Sequence, residues 1–120
     1  MRQSVFIPGP LPGMNEFIST GSRFRYNDAK KRWAQTIITH IKVARLQPVR
    51  RAFITCVWRE KNKRRDPDNF IGMGKKFFLD ALKSAGIVKN DGWTHVAGFT
   101  DTWEVSDEPG VFVLIEEVAE

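Results

Sequence analysis

The stretch REKNKRRDPDNFIGMGKKFFLDALKSAGIVKNDGW, residues 59–93, decides the fold. It opens with a run of cations, passes through Asp-Pro-Asp at 66–68, and enters a long segment in which apolar residues recur at three- and four-residue steps. That spacing predicts an amphipathic helix over residues 69–85, because positions three and four apart lie on one helix face. Gly86 is the expected stop, since glycine readily adopts the left-handed conformation that ends many helices. The stretch therefore predicts a helix that directly follows a segment rich in both positive and negative charge.

Three elements are predicted upstream of this helix. The apolar run at residues 5–7 predicts a short strand that Pro8 ends. The IPGPLPG motif that overlaps it contains too much proline and glycine for a helix or a central strand, so a turn-rich loop is expected. Residues 26–44 repeat apolar side chains with a helical period and predict a second amphipathic helix capped by Asn27. Residues 52–58 alternate with the β-branched and aromatic content of a well-covered strand.

Downstream of the long helix, residues 94–103 and 111–118 predict two strands joined by an Asp-Glu-Pro-Gly turn at 107–110. The order along the chain is then β-α-β-α-β-β. With 120 residues the chain is long enough for one hydrophobic core and too short for two. We therefore predict an α+β fold: a single compact domain over residues 1–120, with a small mixed β-sheet and two main helices packed on one side of it.

Two details of these elements carry expectations of their own. Gly72 and Gly74 lie inside the long helix, where each costs about 1 kcal/mol relative to alanine. We expect them to allow a close approach by a backbone or another helix, or to allow a bend. Cys56 lies in a predicted strand and is expected to be a small buried hydrophobe.

The charge is divided unevenly along the chain. Residues 1–91 hold all 19 Lys and Arg with 7 acids, a balance of +12, whereas residues 92–120 hold 7 acids and no Lys or Arg, a balance of −7. The positive part suits phosphate ligands. No apolar run approaches the roughly 18 residues of a membrane helix, and only three apolar residues lead up to Pro8, so neither a membrane span nor a signal peptide is expected. A soluble, intracellular protein is predicted.

Asp66 and Asp68 allow two interpretations. An acid at the cap, Pro67 at the first helical position and an acid in the first turn are what a helix start favours. That interpretation leaves out Asp91, which follows the helix beside a turn that would bring the chain back along it. Three carboxylates gathered together repel one another unless a divalent cation neutralises them. With the cations of the preceding loop, they indicate a nuclease, in which oxygen ligands hold Mg²⁺ or Mn²⁺ and cations hold the nucleic-acid backbone.

The same residues carry a family resemblance. The motifs are Arg64-Arg65-Asp66-Pro67-Asp68-Asn69, Lys75-Lys76-Phe77-Phe78-Leu79-Asp80-Ala81-Leu82-Lys83-Ser84-Ala85-Gly86 and Asn90-Asp91. They resemble the RusA family of Holliday-junction resolvases over residues 64–91, with a looser similarity in the Pro-rich segment near the amino terminus. The resemblance implies a homodimeric endonuclease that cuts four-way DNA junctions by paired symmetric nicks in recombination and repair. It also implies Mg²⁺ as cofactor, which Mn²⁺ can replace, and a phage or prophage protein acting in the cytoplasm of a bacterial cell.

By that resemblance, Asp66, Asp68 and Asp91 are the metal-binding and catalytic acids. The sequence departs from the family at Asn90, where a second Asp often precedes the last acid. An amide at this position still offers an oxygen ligand but brings no charge.

The lysine of the family's active site is the second departure. In shorter members it lies four residues after the second Asp of the motif, which is Gly72 here. Counting back from Asp80 instead gives Lys76, so the spacing is one helical turn longer. Lys76 is the predicted catalytic lysine, with Lys75 as the substitute.

The loop cations Lys61, Lys63, Arg64 and Arg65 are expected to grip the DNA backbone, and Lys75 is expected to contact a nearby phosphate. The competing hypothesis is a non-catalytic basic DNA-binding module, in which the acids only cap a helix. Uptake of Mn²⁺ distinguishes the two, since a binding module needs no metal.

Overall fold

A mixed sheet of four strands organises the chain. The computed structural model describes residues 1–18 and 23–119. The strands are β1 (Arg2–Pro8), β2 (Ala52–Glu60), β3 (Val96–Val105) and β4 (Gly110–Glu117), and they lie side by side in the order β1-β4-β2-β3. β2 and β3 are parallel, whereas β4 runs antiparallel to its neighbours β1 and β2. The predicted mixed sheet is confirmed.

In the part of the chain that the structure describes, three helices accompany the sheet: α1 (Asn15–Ile18), α2 (Arg23–Val43) and α3 (Pro67–Ser84). The last two are the predicted main helices, and α1 adds a single turn. The predicted cap at Asn27 is wrong, because α2 begins at Arg23 and Asn27 lies inside it. The polar run at residues 19–22 lies outside the described residues. Among the helices that the structure describes, none is long and apolar enough to cross a membrane.

One face of the sheet carries the core. Alternate side chains of a strand point to the same face, and in β2 the buried set is Ala52, Ile54, Cys56 and Trp58. They form one hydrophobic cluster with side chains from β1, β4 and both long helices. Within it, burial and the charge of Asp101 raise the pKa of the Cys56 thiol to about 12, although Lys75 lowers it. The prediction that Cys56 is a small buried side chain is confirmed.

The opposite face of the sheet lies outside this cluster. Its apolar side chains are partly exposed, and in the described part of the chain no helix covers them: Phe6, Phe53, Val57, Phe112 and Leu114. Two ion pairs, each 3.7 Å long, lie at its margins, one between Arg59 and Glu104 and the other between Arg2 and Glu116. This face is therefore apolar in its middle and electrically neutral at its margins.

The helix α3 ends as expected at Gly86. This residue has φ 77°, and the amides of Gly86 and Ile87 donate to the carbonyls of Lys83 and Leu82. This pair of hydrogen bonds is the Schellman motif. It turns the chain sharply at the end of the helix.

The interior glycines of α3 have different surroundings. A Cβ on Gly74 would lie 2.6 Å from the Trp58 ring, which is fully buried, so glycine lets the helix backbone approach β2 closely. A Cβ on Gly72 would lie 2.9 Å from Sδ of Met14, at the end of an exposed side chain. The helix continues through both positions without a break. At Gly74 a close approach is therefore observed, but to a strand side chain rather than to the backbone or helix that was expected.

Candidate functional site

A cleft of about 380 Å³ opens at the carboxyl ends of the two parallel strands. The ends of β2 and β3 form one wall, and the loop before α3 with its first turn forms the other; the lining residues are Glu60, Asn62, Lys63, Arg65, Asp66, Pro67, Phe70, Trp103, Glu104 and Val105. In sheets with helical crossovers, ligands bind beyond the carboxyl ends of parallel strands. The β2-α3-β3 unit therefore makes this cleft the candidate functional site.

Asp66 lies at the amino-terminal cap of α3, as predicted, with Pro67 at the helix start and Asp68 in the first turn. The Asp66 backbone is extended, and its carbonyl accepts from the amides of Asn69 and Phe70. Its carboxylate makes no capping hydrogen bond. Neither carboxylate has a hydrogen bond or an ion pair in the described part of the chain, and both residues are exposed. The interpretation of Asp66 as a side-chain cap is therefore wrong, and both carboxylates are free to bind a ligand.

Asp91 lies at the other end of the molecule. The 18 residues of α3 extend over about 27 Å and run back alongside β2. The segment after α3 joins the beginning of β2, where Val49 donates to Ile87 and Ala52 donates to His95. The predicted return of Asp91 to the two other acids is wrong for a single chain, because one helix antiparallel to the strand separates them.

The positions of the three acids determine whether they can hold a metal ion together. The described residues contain no group of three or more His, Cys, Asp or Glu side chains that could hold one. A cage of three carboxylates is therefore not formed among the described residues of one chain. Mg²⁺, however, is commonly held by one or two carboxylates together with substrate phosphates and water. Asp66 and Asp68, both unpaired, fit a site of that kind.

Arg65 was expected to be a loop cation available to DNA, but its side chain is bound within the protein. Its guanidinium forms two hydrogen bonds with Glu60, at 2.7 and 2.8 Å, and donates to the Leu11 carbonyl at 2.8 Å. It also pairs with Glu16 at 3.4 Å and lies over the Phe70 ring. The structure thus uses Arg65 to tie together the end of β2, the Pro-rich loop and the start of α3.

The two predicted lysines of α3 also have internal partners. Lys75 pairs with Asp101 on β3 and covers the Phe99 ring, and four-fifths of its side chain is buried. Lys76 is 54% exposed and lies 3.9 Å from Asp80, as the four-residue spacing predicts. Neither lysine lines the cleft, since α3 carries Lys76 two turns beyond Asp68.

Three predicted DNA-binding cations remain free. Lys61, Lys63 and Arg64 are exposed, and within the described residues their side chains have no hydrogen bond or ion pair. They surround the beginning of α3, and Lys63 lines the cleft itself. Free cations thus lie within a few residues of the free carboxylates and precede them along the chain.

Sequence reasoning missed several residues of this region. Glu60 and Glu104 line the cleft, but each is paired with an arginine, and only the register of the strands brings them there. Asn69 was also missed. It is buried, and its carboxamide oxygen accepts from the Asn15 amide at 2.8 Å. An Asn directly after the Asp-Pro-Asp motif was the available signal, since a buried amide needs a specific partner.

No protein-family model matches the chain, and no curated protein matches it closely enough to count as a relative.

Proposed function

We propose that this protein is a metal-dependent, structure-selective DNA endonuclease that resolves four-way junctions by paired nicks, with the cleft before α3 as its reaction centre. One observation carries the proposal: within the described residues the Asp66 and Asp68 carboxylates have no hydrogen-bond or ion-pair partner, although they lie close to the free cations Lys61, Lys63 and Arg64. The unpaired acids repel a phosphate at the same place where the unpaired cations attract it. A divalent cation held by Asp66 and Asp68 would reconcile the two, because it would neutralise negative charge on the carboxylates and on the phosphate.

The chain's own residues have separate tasks in this proposal. Lys61, Lys63 and Arg64 hold the phosphates on either side of the scissile bond. Asp66 and Asp68 hold Mg²⁺ or Mn²⁺, which, when bound, supplies an activated water and neutralises charge on the phosphate. Arg65 fixes the loop that carries these groups, because its bonds to Glu60 and Leu11 leave it little freedom.

The face of the sheet opposite the core, here called the bare face, supports the proposal of a homodimer. A four-way junction has two equivalent scissile phosphates, and a twofold dimer presents one active site to each. The apolar face around Val57 and Leu114 is bordered by neutral ion pairs in a chain of net charge +5. Two positively charged copies meet there with less repulsion than elsewhere, and apolar patches of this kind mark interfaces.

A second candidate function is a non-catalytic DNA-binding module. The separation of Asp91 from Asp66 and Asp68 favours it, because a three-acid metal site is absent from the described residues of one chain. In this alternative the free cations bind DNA and the exposed acids have no chemical role.

Incubation with a synthetic four-way junction, in Mg²⁺ or in EDTA, tests the proposal. We expect symmetric nicks in Mg²⁺ that DNA ligase can seal, as hydrolysis to a 5′-phosphate and a 3′-hydroxyl requires, and no cutting in EDTA. Tight junction binding without nicks in either Mg²⁺ or Mn²⁺ would support the binding module instead.

A further inference from the structure

The edge strand β3 carries an exposed aromatic residue into the cleft. Trp103 is 55% exposed and stands in register with Trp58 of β2. Residues in register on neighbouring strands share a face of the sheet. Trp103 therefore lies on the face that α3 covers, but beyond the helix start, where it lines the cleft.

Packing does not account for this exposure. Trp58 is buried and donates its indole N–H to Asp101 at 2.9 Å, whereas the Trp103 indole has no hydrogen bond or ring contact in the described part of the chain. On the same face of β3, Phe99 is covered by Lys75 and Val105 also lines the cleft. Trp103 is thus the large aromatic surface at the cleft that the protein itself leaves uncovered.

The surroundings of Trp103 match one kind of ligand. Phe70 and Pro67 add apolar walls, while Lys63 supplies a free cation and Asp66 a free carboxylate. A nucleotide needs a stacking surface for its base and a cation for its phosphate, and proteins bind single-stranded nucleic acid with this combination. Bases in an intact duplex are stacked on each other and are not available to stack on a side chain in the wall of a cleft.

We propose that Trp103 is a stacking platform for an unpaired base, so that the cleft selects DNA in which a base beside the scissile phosphate has left the helical stack. This inference rests on the proposed function and gives it a basis for structure selectivity. A branch point or a single-stranded gap supplies such a base, whereas uniform duplex does not. Base-edge readout is not needed, because every base has a face that stacks.

The test compares the affinities of a paired duplex and the same duplex with a short single-stranded gap, in EDTA so that no cutting occurs. The variants are Trp103→Ala and Trp103→Phe, with Trp93→Ala as control, since Trp93 is 96% exposed at the other end of β3. We expect Trp103→Ala to weaken binding of gapped DNA by roughly 5- to 100-fold, the range for loss of one stacked base. Trp103→Phe should keep most of the affinity, and duplex binding should stay unchanged in all variants.

Several outcomes would overturn the inference. The inference would be overturned if Trp103→Ala bound gapped DNA as tightly as the parent does. The proposed function would survive that result if the parent still nicked junctions in Mg²⁺. Equal losses on gapped and paired DNA would mean that Trp103 supports the loop rather than a base. A change of oligomeric state in Trp103→Ala, measured by light scattering, would assign the edge of β3 to contact between copies. Absence of all DNA binding by the parent would overturn both the inference and the proposed function.

Discussion

Arg64 and Arg65 are neighbours in sequence but have different tasks. Arg65→Ala leaves Glu60, only 14% exposed, without its partner. Removing one member of a largely buried ion pair is costly, so we expect a loss of about 2–4 kcal/mol in the free energy of unfolding. Arg64→Ala removes an exposed side chain and should change it by less than about 0.5 kcal/mol.

Urea denaturation of the two variants measures this difference in the free energy of unfolding. Junction binding is the control, because there Arg64→Ala is expected to have an effect. Arg64→Ala should weaken junction binding and reduce the slope of log affinity against log salt by about 1, because one phosphate contact is lost. Equal stability of the two variants would show that the Glu60 pair does not hold the loop.

Residue roles were the part of the site least accessible from sequence. Phosphate contacts were predicted for Arg65 and for Lys75, but the structure pairs the first with Glu60 and the second with Asp101. Both partners reach these cations only through the register of β2 and β3. A count of charges along the chain cannot show which cations are already neutralised.

At the scale of the element, the two interior glycines of α3 allow a matched comparison. Gly74→Ala would force a Cβ to within 2.6 Å of the buried Trp58 ring, so we expect destabilisation by about 1–3 kcal/mol. Gly72→Ala meets only the end of the Met14 side chain, which can move. It should stabilise the protein by up to about 1 kcal/mol through helix propensity.

Thermal melting of both variants checks this prediction. A change of 1 kcal/mol shifts the melting temperature of a domain of this size by roughly 3–6 °C. If both variants melt alike, Gly74 is not required for the approach of α3 to β2.

The long elements were predictable because their signals are local. The period of apolar residues identified both long helices and all the strands, and Gly86 identified the end of α3. The course of the chain after α3 could not be predicted from local signals. Placing Asp91 required knowing that β3 is parallel to β2, which puts the beginning of β3 at the end of the sheet opposite to Asp66.

At the scale of the whole molecule, the dimer is proposed to form through the bare face of the sheet. Val57→Lys places a charge in the middle of that face, where burial against a second copy would be costly. We expect it to be a monomer by light scattering at concentrations at which the parent is a dimer. Val43→Lys, at the exposed end of α2, should remain dimeric. A monomeric parent, with and without junction DNA, would contradict the proposal.

The distance between Asp91 and the cleft gives a second prediction about the assembly. If one chain completes the site, Asp91→Asn should cut junctions like the parent. If the site is shared between copies, Asp91→Asn should be inactive, and mixing it with Asp66→Asn should restore cutting, because the mixed dimer contains one intact site. Inactivity without rescue would mean that the description of a site based on Asp66 and Asp68 is incomplete.

The central claim is that Asp66 and Asp68 serve cleavage rather than helix formation. Its most direct test is the junction-cleavage rate of Asp68→Asn in Mg²⁺, measured with its affinity for the same junction in EDTA. Cleavage should fall by more than about 100-fold, since even residues that only support a metal ligand contribute about 10- to 100-fold. Affinity should stay equal or rise, because a negative charge facing phosphate is removed. Cleavage by Asp68→Asn at the parental rate would contradict the account.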